Sequence, residues 1–436
     1  MTRAATSLLI GGLLLGSLAT GMPGWIGAAP AQAAGAKTDD KKKDDGHGKP
    51  AAAPAVQERI DPLPLTEPVK LPSGRDAYDM MRELRQLQDK AANGDADAIL
   101  AQRPLIEQMG EEFTKAEDGV WLDARNARAV IAYVLSGGDV KVLRGLLLRG
   151  QPKSLDPNLG RAVHAFASNR RGEALEHFGK LDPLALEPTI AGQVALAQAE
   201  FMARFDLDKA IEKLDVARLL GPGTLIEEAA LRRKISILSG QKKFDESDRM
   251  MEIYFRRFPR SAYSGGLKRQ VVRFLATRPP LENEEQTKLI VAALDRLAPR
   301  DRLEMYVEIA KEATSRARRD VVNFAGQKAL ALTEDGTQSQ LRTKVYIAAM
   351  QIPSFEVEKM KASLEEMKPN VSGKEELELI AAAQSIADEI RRVGTLTPTD
   401  VPDPTWRTEL GVTFNHVGRA QSRLADADRL LTEATK

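Results

Sequence analysis

Cysteine is absent from all 436 residues, which excludes disulfides, thiolate metal sites and a lipid-modified N-terminal cysteine. Histidine is nearly as scarce. His47, His164, His177 and His416 are the four present, and no H-E-x-x-H or H-x-H spacing joins them. Zinc catalysis therefore has no ligand set, and each histidine reads as a surface or satisfied core residue. Aromatic residues make up 5% of the chain, and stretches of strand character are few. Charge of one sign is lacking too. Lys and Arg number 63 against 62 Asp and Glu, a balance without the basic field that nucleic-acid binders and general anionic-membrane binders need.

What is present begins with an export signal. Arg3 precedes the uncharged apolar stretch from Ser7 to Leu18, and Ala31-Gln32-Ala33 supplies a small-residue A-x-A site. This order is that of a secretory signal peptide over residues 1–33. Its apolar core falls well short of the ~20 residues of a spanning helix. Cleavage is expected between Ala33 and Ala34, leaving the mature chain in the periplasm without direct membrane insertion; an uncleaved N-terminal anchor is the alternative. The remaining 403 residues suffice for two domains or one long array. Residues 34–75 differ in character. Charges crowd from Lys37 to Asp45, and Pro50, Pro54, Pro62, Pro64, Pro68 and Pro72 follow. So polar and proline-rich a segment cannot build a core. It reads as a disordered leader, either a tether or a solvated stretch that clears the export machinery.

Beyond it the chain reads as helix after helix. Ala, Leu, Glu, Arg and Lys dominate, all strong helix formers. The clearest hairpin lies at 225–258. Leu225, Ala229, Ile235 and Leu238 recur at helical spacing, and Ser239-Gly240-Gln241-Lys242-Lys243 breaks the pattern. Phe244, Ser247, Met251, Tyr254 and Phe258 then share one face of a second helix. Asp245 is placed to cap that helix and Pro259 to end it. Second helices open similarly at Gly138-Asp139, Gly172-Glu173 and Asp208-Lys209. Asp139, Glu173, Lys209 and Glu246 stand 34, 36 and 37 residues apart, with an earlier copy at Asn93-Gly94-Asp95.

That period, close to ~34 residues, is the period of tetratricopeptide arrays, although their Trp, Gly-Tyr and Ala signature is mostly missing. The expected fold is all-α, a tetratricopeptide-like helical-hairpin solenoid over 76–393, with a non-repetitive helical bundle as the alternative. Later helices are expected over 266–278, 282–297, 301–318, 320–333, 338–352, 354–367 and 374–392. Residues 394–404, rich in proline, read as a linker. Residues 405–436 read as a C-terminal helix whose apolar stripe from Leu410 to Leu431 caps the array or enters a partner's groove.

Chemistry-bearing motifs are missing: no G-x-S-x-G and no Walker A pattern occurs. Ser239-Gly240-Gln241-Lys242 spells S-x-x-K, but it sits in a hairpin turn without its S-D-N and K-T-G companions. Gly221-Pro222-Gly223-Thr224 reads as a helix C-cap followed by Thr224 as the next N-cap. Asn370-Val371-Ser372 matches a glycosylation sequon only formally. Glutamate pairs stand at 111–112, 227–228, 284–285, 365–366 and 375–376. They raise a peptidoglycan-cleaving enzyme as a distant alternative, with Glu246-Ser247 as its only Glu-Ser pair, but solvated helix surface is the better reading. The chain is expected to be no enzyme and to need no cofactor or metal. One stretch stands out as a protein-binding candidate: Tyr254, Arg256, Arg257, Arg260, Tyr263 and Arg273, an arginine-tyrosine mixture like that of interface hot spots.

Two strings carry a resemblance. Leu220-Gly221-Pro222-Gly223-Thr224-Leu225-Ile226-Glu227-Glu228-Ala229-Ala230-Leu231-Arg232-Arg233 and Arg257-Phe258-Pro259-Arg260-Ser261-Ala262-Tyr263 resemble the MotC family of rhizobial and related alphaproteobacterial flagellar systems. The signal peptide, charged leader, lack of cysteine and length are similar as well. The resemblance implies a periplasmic accessory of the flagellar motor that associates with the periplasmic part of the stator protein MotB and is needed for rotation. It implies neither channel nor enzyme activity, and no contact residues. Without it, a tetratricopeptide-like scaffold for envelope assembly or division fits the same residues.

Overall fold

In the structure, a computed structural model that describes residues 69–394 without 151, 153–154, 280–283 and 353–355, the described residues form seventeen α-helices, three short 3-10 turns and no strand. The signal peptide, most of the leader, the linker beyond Gly394 and the C-terminal helix at 405–436 lie outside the described residues. The helices are α1 Ala77–Ala92, α2 Asp97–Lys115, α3 Ala124–Leu135, α4 Val140–Leu148, α5 Pro157–Ala167, α6 Arg171–Phe178, α7 Pro188–Met202, α8 Leu207–Leu220, α9 Leu225–Gly240, α10 Phe244–Arg257, α11 Ser264–Thr277 and α12 Glu284–Leu294. After them come α13 Pro299–Ser315, α14 Arg319–Leu330, α15 Gln338–Gln351, α16 Val357–Met367 and α17 Lys374–Gly394. The chain divides into two compact units, Met1–Val271 with Leu281–Ala298, and Val272–Pro280 with Pro299–Lys436.

Consecutive helices pack as pairs, and the repeat is sharpest in their turns. After α1, α3, α5, α9 and α13 one backbone device recurs, with one amide reaching back five residues and its predecessor reaching back three. Asp95 N bonds Lys90 O and Gly94 N bonds Ala91 O; Lys243 N bonds Leu238 O and Lys242 N bonds Ser239 O; Arg318 N bonds Ala313 O and Ala317 N bonds Thr314 O. This is the Schellman closure, which requires a left-handed residue after the helix. That residue is Gly94, Gly137, Asn169, Lys242 and Ala317 in turn, the last three at φ 55, 59 and 54°. The next helix then opens at Asp97, Val140, Arg171, Phe244 and Arg319. The closure also displaces the expected cap of α10. Its N-cap is Lys243, already committed to Leu238, and Asp245 falls inside the first turn without capping. There it faces the positive end of the helix dipole. Thr224 does cap α9, accepting from Ile226 N at 3.2 Å.

In the first unit α7 is buried nearly all round, with Ile190 to Ala199 inaccessible along its length. Such a helix is polar on no face, which is why its sequence carries so little charge. Nearby, the Tyr133 ring packs edge-on to Phe113 and runs over Gly138, where any Cβ would come within 2.3 Å of it. A neighbour-only solenoid leaves its first hairpin touching its second alone. Here α1 packs on α3 and also on α9. Asp89 Oδ1 accepts from Leu225 N at 2.8 Å, Ala262 N donates to Ala91 O at 3.0 Å, and Gln102 Nε2 donates to the Tyr263 hydroxyl at 2.8 Å. The first hairpin is thereby locked to the fifth.

Candidate protein-binding surface

The fold divides the arginine-tyrosine stretch. Tyr254, Arg256 and Arg257 come from α10, Arg260 and Tyr263 from the segment before α11, and Arg273 from the part of α11 in the second unit. Tyr254 requires a correction, because it is a core residue with no exposed surface. It lies on the face of α10 that meets α9, and its hydroxyl donates to Glu228 Oε1 at 2.7 Å. Burial, then the Glu228 charge, pushes its phenol well above the ordinary pKa. Tyr263 is half-buried, and burial raises its pKa as well. Arg257 donates to Glu227 Oε2 at 2.7 Å. Arg256, 53% of its side chain exposed, lies 3.5 Å from Glu252. Arg260 and Arg273 are exposed. The surface left in the first unit is thus cationic, formed by Arg256, Arg260 and the outer part of Arg257.

Beneath it lies a carboxylate network that sequence reasoning missed. Glu227 and Glu228, expected on solvated helix surface, are 5% and 0% exposed. Glu228 Oε1 accepts from Tyr254 and also from Ser261 Oγ at 3.1 Å, while Oε2 takes Arg232 at 3.2 Å. Burial works to lower the Arg232 pKa, but the adjacent Glu228 outweighs it and holds it above the usual value. Glu227 Oε2 accepts from Gly223 N at 2.7 Å besides Arg257. A carboxylate stays charged in a protein interior only when its oxygens are engaged in this way.

The second unit repeats the chemistry. Glu376, also expected at the surface, is 4% exposed. It accepts from Arg342 Nε at 2.8 Å and from the Tyr346 hydroxyl. Burial acts to raise the Glu376 pKa, yet the bonds from Tyr346 and Arg342 prevail and keep it below the ordinary value. Glu284, Glu285, Glu365, Glu366, Glu111 and Glu375 are exposed as read, and Glu112 is half-exposed. Glu227 and Glu228 tie α9 to α10, and Glu376 ties α17 to α15. They join helices, and what they position is the surface above them.

The remaining candidates are structural. Ser239 Oγ bonds Ser247 Oγ at 2.9 Å, and Lys242 holds the left-handed turn position. Glu246 is exposed and Ser247 buried. His164 Nδ1 lies 2.6 Å from Arg170, and burial followed by the Arg170 charge lowers its pKa. His177 Nδ1 meets Asn158 Oδ1 at 3.2 Å across the α5–α6 hairpin. His47 and His416 lie outside the described residues. Among the described residues no group of three or more His, Asp or Glu can hold a metal ion, and no helix is long and apolar enough to cross a membrane.

Comparison with known families matches residues 2–436 to the family described as Chemotaxis protein MotC. The Chemotaxis protein MotC of Rhizobium meliloti (strain 1021) is 26% identical over 330 residues, 75% of this chain and 75% of that protein. No solved structure matches the chain.

Proposed function

This chain belongs to the MotC family, and from that premise we propose that it is a non-catalytic accessory of the flagellar motor, working in the periplasm by binding the periplasmic region of the stator protein MotB. The family match along almost the whole chain carries the reading. Two features support it. Paired helices joined by repeated Schellman turns build the stable outer faces on which repeat proteins bind partners. In addition, the buried Glu227–Glu228 network fixes α9 against α10, presenting Arg256 and Arg260 on a rigid base. A cationic rim of this kind acts mainly on the rate of encounter with an acidic partner surface.

Co-purification from envelope extracts tests the proposal. MotB should be recovered with the chain, and a deletion strain should assemble flagella yet be paralysed or slow. Arg256→Glu with Arg260→Glu should slow association with the MotB periplasmic region while leaving helix content unchanged. Wild-type swimming in the deletion strain, with envelope-assembly or division proteins recovered in place of MotB, would overturn the reading.

A further inference from the structure

We propose that residues 405–436 fold back along α17 and cover an apolar stripe on the side of that helix turned away from α16, closing the second unit. α17 outruns its neighbour α15. It has 21 residues, about 31 Å at the helical rise, whereas α15 has 14. Glu376, in the first turn of α17, accepts from Tyr346, past the middle of α15. α16 runs antiparallel to α17, since Lys361 bonds Asp388 and Gln384 bonds Glu365. The C-terminal half of α17 therefore extends beyond the end of α15, with α16 along one flank.

The other flank is apolar. Ile380, Ala383 and Ala387 face the core. On the side away from Asp388 stand Leu379, Ala382, Ile386 and Ile390, three or four residues apart. Ile386 is 51% and Ile390 39% exposed. Among the described residues of the second unit they are the only large hydrophobics so open. Scattered exposed side chains need no explanation. Two of them one turn apart, on the last helix before the linker, stand where a repeat array needs a cap.

Chain length and spacing choose the occupant. Residues 394–404 make a linker of 11 residues that can span about 36 Å, enough for the chain to turn and run back along α17. Read backwards, Leu424, Gln421, Val417 and Phe414 nearly reproduce the spacing of Leu379, Ala382, Ile386 and Ile390. One antiparallel register then seats Phe414 on Ile390, Val417 on Ile386 and Leu424 on Leu379, with Gln421 over the small Ala382. A second copy or another protein must compete with a segment held by its linker at an effective concentration on the order of millimolar. So seated, the segment is a cap and not an arm for a partner's groove. The inference is independent of the stator reading.

The absence of cysteine allows a direct test in the purified mature chain. Ile386→Cys with Val417→Cys, and Ile390→Cys with Phe414→Cys, should each oxidise to a disulfide within one chain, because facing positions of packed helices come within the ~4.4–6.8 Å between Cα atoms that the bond spans. Ala381→Cys with Val417→Cys, whose first site is exposed on the α16 side, should not. Ile386→Asp alters a half-exposed position, so the array should stay folded. In that variant the amides of residues 408–431 should exchange with deuterium about tenfold faster or more than in wild type. Disulfides that join two chains would sink the assignment in favour of a second copy. Failure of both pairs to close, closure of the control pair as readily, or exchange unchanged by Ile386→Asp would sink it as well.

Discussion

Replacing Asp89 with alanine should loosen the lock between the first and fifth hairpins by about 1–2 kcal/mol, the size of a lost helix cap. The estimate is built from the Leu225 amide. Leu225 opens α9 and is 2% exposed, and its N–H donates to Asp89 across 136 residues of sequence. A hydrogen bond to a charged acceptor contributes about 1.5–3 kcal/mol, and alanine leaves the donor without a partner. Against this stands the burial that raises the Asp89 pKa, a cost of keeping the carboxylate ionised at neutral pH. Asp89→Asn retains an oxygen for Leu225 and discards the charge, so it should lie within about 0.5 kcal/mol of wild type.

Acid separates the terms further. The folded pKa of Asp89 lies above its unfolded value, so the native state takes up the proton first as pH falls. Wild type should gain stability relative to Asp89→Asn between the raised folded pKa and the ordinary value of 3.8, and lose that gain as pH rises back through the window. Urea unfolding of the three proteins, followed by far-ultraviolet circular dichroism at neutral pH and near ~pH 4, reads both effects. Equal stability of the Ala and Asn variants at neutral pH would refute the cap, and a wild type that weakens against Asn in acid would refute the sign.

Tyr254→Phe should cost about 1–3 kcal/mol in the same assay, because Glu228 loses a buried donor. Leu238→Asp should unfold the first unit, since a charge at a position with no exposure costs roughly 3 kcal/mol or more; full stability would place the buried face wrongly. Ala317→Gly should stabilise by about 0.5–1 kcal/mol, the left-handed strain of alanine at φ 54° less the chain entropy that glycine adds. A destabilised Ala317→Gly protein would show that no such strain is stored there.

Helices and hairpins are legible because they depend on neighbours in sequence. The stripe Leu225, Ala229, Ile235, Leu238 is buried throughout, and the Ser239–Lys243 break is the turn between α9 and α10. What escapes depends on distant neighbours. Glutamate on a helix is nearly always solvated, so Glu227 and Glu228 read as surface. Their setting between Leu225-Ile226 and Ala229-Ala230-Leu231, with Arg232 four residues on, is a signal that they sit on a helix with no polar side. Tyr254 carries two cues, helical periodicity with Met251 and Phe258 and proximity to arginines; the periodicity is the one that holds. The Asp89, Gln102 and Tyr263 contacts have no local signature, since one hairpin's period says nothing of which later hairpin it will meet.

The bond from Leu225 to Asp89 and the one from Gln102 to Tyr263 span 136 and 161 residues, and that distance imposes an order of events on a growing chain. The first hairpin is synthesised, and can coil into helices, long before the residues that complete its burial exist. Until Leu225 and Tyr263 arrive, the side of α1 destined for α9 has only solvent or a chaperone to cover it. Loop closure over such lengths slows folding far more than it alters final stability. Closure of the first hairpin therefore waits on the fifth and on the segment that follows it, and a chain cut short before Tyr263 keeps its early helices but lacks the Gln102 contact.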